Sequence, residues 1–439
     1  MKKATVTPTT NPLGGSLKAA RDKSLSHRAA MIGALSQGRT EISGFSFCQD
    51  CLSTLNCLRA MGISFSLSPE EEKVIIESSG SLHEPENVID AGNSGTTIRL
   101  LSGIAAGIEG LTVLTGDESL RNRPMRRIIE PLRLTGASIG SRAKDRFPPI
   151  FILGKNQLDS FSYQLKVASA QVKSSLIFAA LRGNGPSFIE EPFPSRDHTE
   201  NMLRYLGVEI TKSKGRLKVT PPRELRARDF NLPGDISSAA FLLAAAILVE
   251  GSRVVVEDVG LNPTRCGFLE ALREMGAKVT VGKVREDFGE LRGEVEASYS
   301  KLRGIELGPD KIPAIIDEIP ILSLLATQAE GKTTIWGAEE LRVKESDRLR
   351  AIACGFSQLG AQVEEKKDGL IIQGGSPLKG GRVKSFNDHR IAMSLVIAGL
   401  ISQKEVTVEG VDCIEISYPQ FFDHLQQFGC PTIKVDFEK

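Results

Sequence analysis

The chain has 439 residues, of which 41% are hydrophobic and 25% are charged. This composition predicts a globular protein with a large core and excludes disordered and fibrous classes. The 55 Lys and Arg residues nearly equal the 54 Asp and Glu residues, so no basic excess favours nucleic acid binding. The length favours two or three domains.

Neither a membrane span nor a secretion signal is predicted. The longest apolar stretches, residues 239–249 and 391–401, have about half the length that a membrane-spanning helix needs. Residues 1–10 lack the apolar core of a signal peptide. Seven scattered cysteines, an odd number, argue against a disulfide framework, so we expect a cytoplasmic protein.

Cys48 and Cys51 form an isolated CxxC pair. One such pair cannot complete a tetrahedral zinc site without further ligands, and no His lies close to it in the sequence. A redox pair and a pair of buried thiols both remain open.

Along the chain, one pattern recurs six times. A predicted helix carries Leu or Phe four residues before a Gly, and a predicted strand follows that Gly. A Gly in this place is typical of the residue after a helix, where φ is positive. The six glycines are Gly62, Gly136, Gly207, Gly276, Gly360 and Gly429.

Each repeat has the pattern helix–strand–helix–strand and spans about 70 residues. This alternation predicts a layered α/β fold, with three repeats in each of two domains. A solenoid is the alternative, but repeats of this length are long for one. The proline-rich and charged residues 221–229 predict a linker. We assign residues 18–229 to the first domain and 230–439 to the second, together with residues 1–17, which could pair with either.

A polar cluster precedes or opens the Ala-, Gly- or Leu-rich helix of each repeat. Helix caps explain its Ser, Asp and Asn residues. They do not explain Lys23, Arg28, Arg99 and Arg390, because cations near a helix start oppose the helix dipole. An anion bound at the helix starts would compensate, although ordinary surface cations remain an alternative. The six clusters are residues 22–28, 92–99, 169–174, 234–238, 317–320 and 387–390.

Two further basic clusters, residues 121–127 and 342–348, are predicted to open the second helices of their repeats. The alternative for residues 342–348 is a solvated face with salt bridges. A nucleotide-binding loop at residues 331–334 is excluded, because Ala326 occupies the place of the first Gly and a strand follows.

These clusters resemble the motifs of the 5-enolpyruvylshikimate-3-phosphate synthase family, the 3-phosphoshikimate 1-carboxyvinyltransferases. The resemblance covers nearly the whole chain, although Ala20 and Arg21 stand where the family usually has Pro-Gly. It implies two domains of three βαβαββ units each, an inside-out α/β barrel called the enolpyruvyl transferase fold, which close on substrates at their interface. The matching motifs are residues 22–28, 92–101, 123–125, 342–349 and 387–390.

The resemblance implies transfer of the enolpyruvyl group of phosphoenolpyruvate to the 5-hydroxyl of shikimate 3-phosphate, with release of phosphate. This step belongs to the shikimate pathway, which leads through chorismate to aromatic amino acids. The resemblance implies no metal and no organic cofactor, and it implies inhibition by glyphosate. We expect a cytoplasmic monomer that binds neither nucleic acid nor membrane.

The resemblance also implies roles for individual residues. Asp317 is the candidate base, Glu345 the candidate acid, and Lys23 and Lys344 would lie beside the reacting groups. The implied shikimate 3-phosphate ligands are Lys23, Ser24, Arg28, Ser169, Ala170, Gln171, Ser195, Arg196, Asp317 and Lys344. The implied phosphoenolpyruvate ligands are Lys23, Asn93, Gly95, Arg123, Gln171, Arg348 and Arg390.

Two other functions were considered. The related transferase that uses UDP-N-acetylglucosamine has a reactive Cys in its Arg-rich loop, and residues 116–127 contain no Cys. A non-catalytic protein that binds phosphorylated metabolites is the second alternative. Asp317 and Glu345 disfavour it, because carboxylates in an anion-binding site oppose binding and are costly to bury.

Overall fold

The protein is described by a computed structural model that covers residues 2–430 and 433–437. No helix within these residues is long and apolar enough to cross a bilayer. The α-helices are α1 (Lys23–Leu35), α2 (Gln49–Ala60), α3 (Gly95–Ala106), α4 (Arg126–Leu132), α5 (Arg142–Asp145), α6 (Ala170–Ala180), α7 (His198–Tyr205), α8 (Ile236–Leu248), α9 (Gly267–Glu274), α10 (Ile312–Ile315), α11 (Ile319–Thr327), α12 (Arg348–Gln358), α13 (His389–Ile401) and α14 (Phe421–Gln427).

The strands are short and contain two to ten residues each. They are β1 (Lys2–Val6), β2 (Gly14–Lys18), β3 (Gln37–Ser43), β4 (Ser64–Ser68), β5 (Lys73–Ser79), β6 (Ile89–Asp90), β7 (Gly110–Thr115), β8 (Ser138–Ser141), β9 (Phe147–Gly154), β10 (Ser162–Gln164), β11 (Ser187–Glu190), β12 (Ile210–Ser213), β13 (Arg216–Val219), β14 (Phe230–Asn231), β15 (Arg253–Gly260), β16 (Lys278–Asp287), β17 (Glu290–Ser298), β18 (Glu306–Leu307), β19 (Lys332–Ile335), β20 (Gln362–Lys366), β21 (Gly369–Gln373), β22 (Gly381–Lys384), β23 (Val406–Glu409) and β24 (Lys434–Phe437).

The strands of the described residues form six four-stranded sheets of one kind. In the sheet β6-β7-β9-β8, the first pair is parallel and the other two pairs are antiparallel. A helix connects the parallel pair, and a second helix leads into the antiparallel hairpin. The repeating unit is therefore βαβαββ, which confirms the predicted fold class.

The six predicted glycines support this repeat. All have positive φ, between 79° at Gly136 and 99° at Gly360. Each follows a helix and comes before one of the strands that pair antiparallel in its sheet. The predicted conformation of these residues is confirmed.

The chain divides into two compact units. Unit 1 contains the described residues of Met1–Ala20, Pro233–Arg285 and Leu291–Lys439, and unit 2 contains Arg21–Leu232 and Glu286–Glu290. The predicted domain limits, after residues 17 and 229, differ from these unit limits by three residues each. Backbone pairing explains the difference, because Ala19 N donates to Glu257 O in unit 1 and Leu232 N donates to Ser43 O in unit 2.

The predicted linker at residues 221–229 is part of unit 2. Gln37 N donates to Leu225 O, and Ala227 N donates to Gln37 O. Leu225 is buried in the unit 2 core. The segment lies between the third and fourth repeats, but it packs as an extra edge on the first sheet of unit 2.

Each unit has its own hydrophobic core around three buried helices. These are α1, α3 and α6 in unit 2 and α8, α11 and α13 in unit 1. In unit 2, α3 and α6 approach closely at Gly103, where a Cβ atom would lie 1.9 Å from Ser175 O. Gln171 Nε2 of α6 also donates to Thr96 Oγ1 of α3 at 3.0 Å, so their first turns, which carry polar clusters, are held together.

Candidate active site

In unit 2, the predicted polar clusters lie at the starts of the three buried helices. Asp22 caps α1, Ser94 caps α3 and Ser169 caps α6, each by accepting from a backbone N–H in the first turn. Capping satisfies one of the free N–H groups and leaves the positive end of each helix dipole available to an anion.

Lys23 is the first residue of α1 and forms an ion pair with Asp50 of α2. The distance from Lys23 Nζ to Asp50 Oδ2 is 2.8 Å, and both side chains remain partly accessible. An anionic substrate would compete with Asp50 for this ammonium group. Arg21 stands where the family usually has Gly, and its Nε donates to Glu72 Oε2 at 2.6 Å.

The thiols beside Lys23 are buried. Cys48 and Cys51 are free, and their exposed fractions are 1% and 0%. Cys51 Sγ donates weakly to Lys23 O at 3.6 Å. This burial favours the interpretation of the CxxC pair as buried thiols.

A second group of polar residues lies at the start of α3. Arg123 Nη2 donates to Asn93 Oδ1 at 2.8 Å, and Asn93 Nδ2 donates to Asp117 Oδ2 at 2.6 Å. A Cβ atom on Gly95 would lie 3.0 Å from Arg123 Nη1 and 3.3 Å from Arg99 Nη1. The structure thus brings together three of the predicted phosphoenolpyruvate ligands.

Gln171 in the first turn of α6 connects this group to α6. Arg99 Nη1 donates to Gln171 Oε1 at 2.5 Å, and Gln171 Nε2 donates to Thr96 Oγ1 at 3.0 Å. Arg99 was not among the predicted ligands, although the polar cluster that contains it was recognised. Its position beside Gly95 and Gln171 adds it to the candidate site.

Arg28 is buried and holds the second turn of α1 against α6 and α7. Its Nη1 donates to Ser24 O at 2.9 Å, its Nε to Thr199 Oγ1 at 2.8 Å and its Nη2 to Ser174 Oγ at 3.1 Å. These bonds fix the guanidinium group in place.

The remaining predicted residues of unit 2 lie around α6. Ser169 and Ala170 are its cap and first residue. Ser195 lies in the segment before α7, where its backbone oxygen accepts from Lys173 of α6 at 3.1 Å. Arg196 follows directly, so the first turn of α6 and the segment before α7 are brought together.

In unit 1, Arg348 contacts both the predicted acid, Glu345, and the predicted base, Asp317. Its side chain is 1% exposed; its Nη2 donates to Glu345 Oε2 at 2.6 Å, and its Nη1 lies 3.4 Å from Asp317 Oδ1. Arg390 Nη1 donates to Asp317 O at 3.0 Å. The two carboxylates and the two predicted carboxylate-binding arginines therefore form one cluster.

Asp388 completes this cluster and was not predicted as a site residue. Its Oδ2 accepts from Arg348 Nε at 2.8 Å, and its Oδ1 caps α13 through Arg390 N. The motif at residues 387–390 indicates the capping role of Asp388, because an Asp directly before a helix start is a typical cap.

Two predictions about local structure are wrong. The cluster of residues 342–348 is not helical as a whole, because α12 begins only at Arg348, Asp347 caps it and Lys344 has extended backbone. The solvated-face alternative is also wrong for Arg348, which is buried. Similarly, of the cluster at residues 121–127 only Arg126 and Arg127 belong to α4.

Burial and neighbouring charges change the pKa values of Lys344 and Arg348 in this cluster. It lowers the pKa of Lys344 below its ordinary value, and the nearby charge of Asp317 offsets this only in part. Burial also disfavours the charge on Arg348, but its carboxylate partners outweigh that effect and raise its pKa. Arg348 is thus a fixed cation, whereas Lys344 can lose its proton more readily than a surface lysine.

The repeated fold and the cations at the starts of its buried helices define an α/β protein suited to small anionic substrates. The family described as EPSP synthase (3-phosphoshikimate 1-carboxyvinyltransferase) matches residues 7–425. The chain belongs to this family, which confirms the resemblance, the enzyme class and the reaction predicted from the sequence.

Curated relatives agree over nearly their whole lengths. A 3-phosphoshikimate 1-carboxyvinyltransferase of Bacillus cereus (strain G9842) is 44% identical over 98% of this chain and 100% of its own. One of Thermodesulfovibrio yellowstonii is 47% identical over 94% of this chain and 97% of its own.

Solved structures are similar as well. EPSP synthase from Acinetobacter baumannii has a TM-score of 0.88 and 40% identity, with full coverage of both chains. The enolpyruvyl transferase NikO from Streptomyces tendae has a TM-score of 0.80 over 100% of this chain and 99% of its own. Its identity is 17%, so that likeness concerns the fold alone.

Proposed function

We propose that the protein transfers the enolpyruvyl group of phosphoenolpyruvate to the 5-hydroxyl of shikimate 3-phosphate and releases phosphate. The observation that carries the assignment of chemical roles is the contact of one buried arginine, Arg348, with both Asp317 and Glu345. A cation among carboxylates provides charge for an anionic substrate and groups for proton transfer in one place.

Charge complementarity supports the binding roles. The two substrates carry two phosphates and two carboxylates, and charge-assisted hydrogen bonds contribute about 1.5–3 kcal/mol each. We assign shikimate 3-phosphate to the first turns of α1 and α6 and to the segment before α7. These residues are Lys23, Ser24, Arg28, Ser169, Ala170, Gln171, Ser195 and Arg196, and we assign Asp317 and Lys344 to the same substrate.

We assign the phosphate of phosphoenolpyruvate to Asn93, Gly95 and Arg123, with Lys23 and Gln171 beside it. Its carboxylate would bind Arg348 and Arg390. The absence of a side chain on Gly95 leaves room for the phosphate next to two guanidinium groups.

The chemistry requires a base for the hydroxyl proton and an acid for the methylene carbon. We assign Asp317 as the base and Glu345 as the acid. A tetrahedral intermediate would form and then lose phosphate together with the added proton. Positioned acids and bases contribute about 10²- to 10⁴-fold to such rates.

The test is phosphate release from phosphoenolpyruvate by purified protein in the presence of shikimate 3-phosphate and a metal chelator. Release should require both substrates, and mass spectrometry should detect the enolpyruvyl adduct. UDP-N-acetylglucosamine serves as the alternative acceptor. Release with that acceptor instead, or with neither, would contradict the proposal. We further expect a cytoplasmic monomer that glyphosate inhibits.

A further inference from the structure

A buried cluster of charges lies directly behind the segment that carries Ser195. Lys173 Nζ lies 2.8 Å from Glu200 Oε1 and 3.1 Å from Glu191 Oε2. The exposed fractions of the three side chains are 0% for Lys173, 2% for Glu200 and 3% for Glu191. Burial opposes the charge on Lys173, but the two carboxylates outweigh it and raise its pKa.

This cluster holds Ser195 through three of its atoms. Glu191 Oε2 accepts from Ser195 N at 3.1 Å and also from its hydroxyl group. Lys173 Nζ donates to Ser195 O at 3.1 Å. The backbone of one residue is therefore fixed on both sides by side chains of an ion pair.

The composition of the segment explains why such support is needed. Pro192 and Pro194 have no backbone N–H, so the segment between β11 and α7 can form few backbone hydrogen bonds of its own. Phe193 is exposed and contributes little burial. The contacts to Lys173 and Glu191 replace the missing backbone bonds.

A contribution to stability does not by itself explain why these three charged side chains are buried together. Buried ion pairs contribute little to stability compared with apolar side chains of similar size, because desolvation offsets their attraction. Their bonds are directional, however, and can fix a neighbouring group in one orientation. Here that group is Ser195, and Arg196 follows it.

We infer that Lys173 and Glu191 are positioning residues that hold Ser195 and Arg196 for the binding of shikimate 3-phosphate. This inference rests on the proposed function. It predicts that loss of the cluster weakens binding of shikimate 3-phosphate selectively. Binding of phosphoenolpyruvate, which we assign mainly to α3 and to unit 1, should change little.

The test compares Glu191→Gln and the milder Glu191→Asp with Lys212→Met as the control. Lys212 Nζ lies 3.3 Å from the same Glu191 carboxylate, but its side chain is 38% exposed. Calorimetry should show the dissociation constant of shikimate 3-phosphate raised at least tenfold in Glu191→Gln. The KM for phosphoenolpyruvate should change less than twofold, and Lys212→Met should match the wild type in both.

A double-mutant cycle with Ser195→Ala separates positioning from general loosening. Ser195→Ala removes the hydroxyl group that Glu191 holds but keeps the backbone N–H, so Glu191→Asp should weaken binding less in this background than in the wild type. Additive effects, or a lowered melting temperature with unchanged shikimate 3-phosphate binding, would overturn the inference. Wild-type protein that binds shikimate 3-phosphate without phosphate release would contradict the proposed function and leave this binding test valid. Absence of binding in the wild type would overturn both.

Discussion

Replacement of Glu345 should separate substrate binding from the chemical step. Its Oε2 accepts from Arg348 at 2.6 Å, and Gln keeps an acceptor of the same size at that place. Glu345→Gln cannot donate a proton as a carboxylic acid, so kcat should fall about 100-fold or more. Calorimetry should show shikimate 3-phosphate binding within a few-fold of wild type. The exposed Glu339, changed to Gln, is the control, and unchanged turnover in Glu345→Gln would remove Glu345 from the role of acid.

Lys344 should set the alkaline limit of activity. Its pKa is lowered by burial, so it loses its proton at a lower pH than an ordinary lysine. The protonated form attracts anionic substrates, and kcat/KM should therefore fall as the pH rises through this pKa. Lys344→Arg should move the fall to higher pH, because guanidinium stays protonated. The exposed Lys367→Arg serves as the control; identical pH profiles for all three proteins would refute the role.

Gly95 provides a test of the phosphoenolpyruvate site with glyphosate as the probe. An added Cβ would lie 3.0 Å from Arg123 Nη1, so the methyl group of Gly95→Ala must displace this guanidinium or a ligand beside it. Overpacking costs about 1–3 kcal/mol, which corresponds to a rise of about 5- to 150-fold in the inhibitory concentration of glyphosate. Gly282→Ala is the control, since no atom lies within 4 Å of its Cβ position. Equal inhibition of Gly95→Ala and wild type would place residue 95 outside the site.

Asp388 both caps α13 and forms an ion pair with the buried Arg348. Two substitutions of Asp388 separate these two contributions to stability. Asp388→Asn keeps a capping oxygen but removes the charge that faces Arg348, which should cost about 1–3 kcal/mol. Asp388→Ala also removes the cap and should cost about 1 kcal/mol more. Urea unfolding measures both values against the exposed Asp423→Asn. Equal destabilisation by Asn and Ala would show that the cap contributes nothing.

Helices of this protein could be predicted far better than its sheets. Helix starts and ends have local signals, such as the cap Asp22 and the positive-φ Gly62. Several first strands are too short to show alternation, since β6 and β18 have two residues each. The predicted start of α12 is too early, because the charges of residues 342–347 have helical spacing although the helix begins only after its cap, Asp347.

The polar clusters that contain most of the candidate site residues could be located for the same reason that the helices were. They are continuous in the sequence and lie mostly at helix starts, which a sequence displays directly. The buried partners Asp50 and Glu191 were not predicted, because each comes from a different element and only the fold brings it to Lys23 or Lys173. Contacts distant in sequence have no local signal.

The limits of the two units also depend on contacts between residues that are distant in the sequence. Three strands join sheets whose other strands lie far away in the sequence: β1 pairs with β23 and β24, β2 with β15, and β14 with β3. Residues 286–290 belong to unit 2 because Phe288 packs against Phe230 and His198 pairs with Glu290. Periodicity and composition carry no information about such pairings.

The two separate cores predict two separate unfolding events. Leu176 of α6 and Leu243 of α8 are fully buried in the cores of unit 2 and unit 1. Each Leu→Ala change should cost about 2–5 kcal/mol through the cavity that it creates. Because each core is confined to its own unit, Leu176→Ala should lower hydrogen-exchange protection in unit 2 and Leu243→Ala in unit 1. Mass spectrometry of exchanged peptides measures this, and a uniform loss across both units in either variant would show that the chain unfolds as one cooperative body.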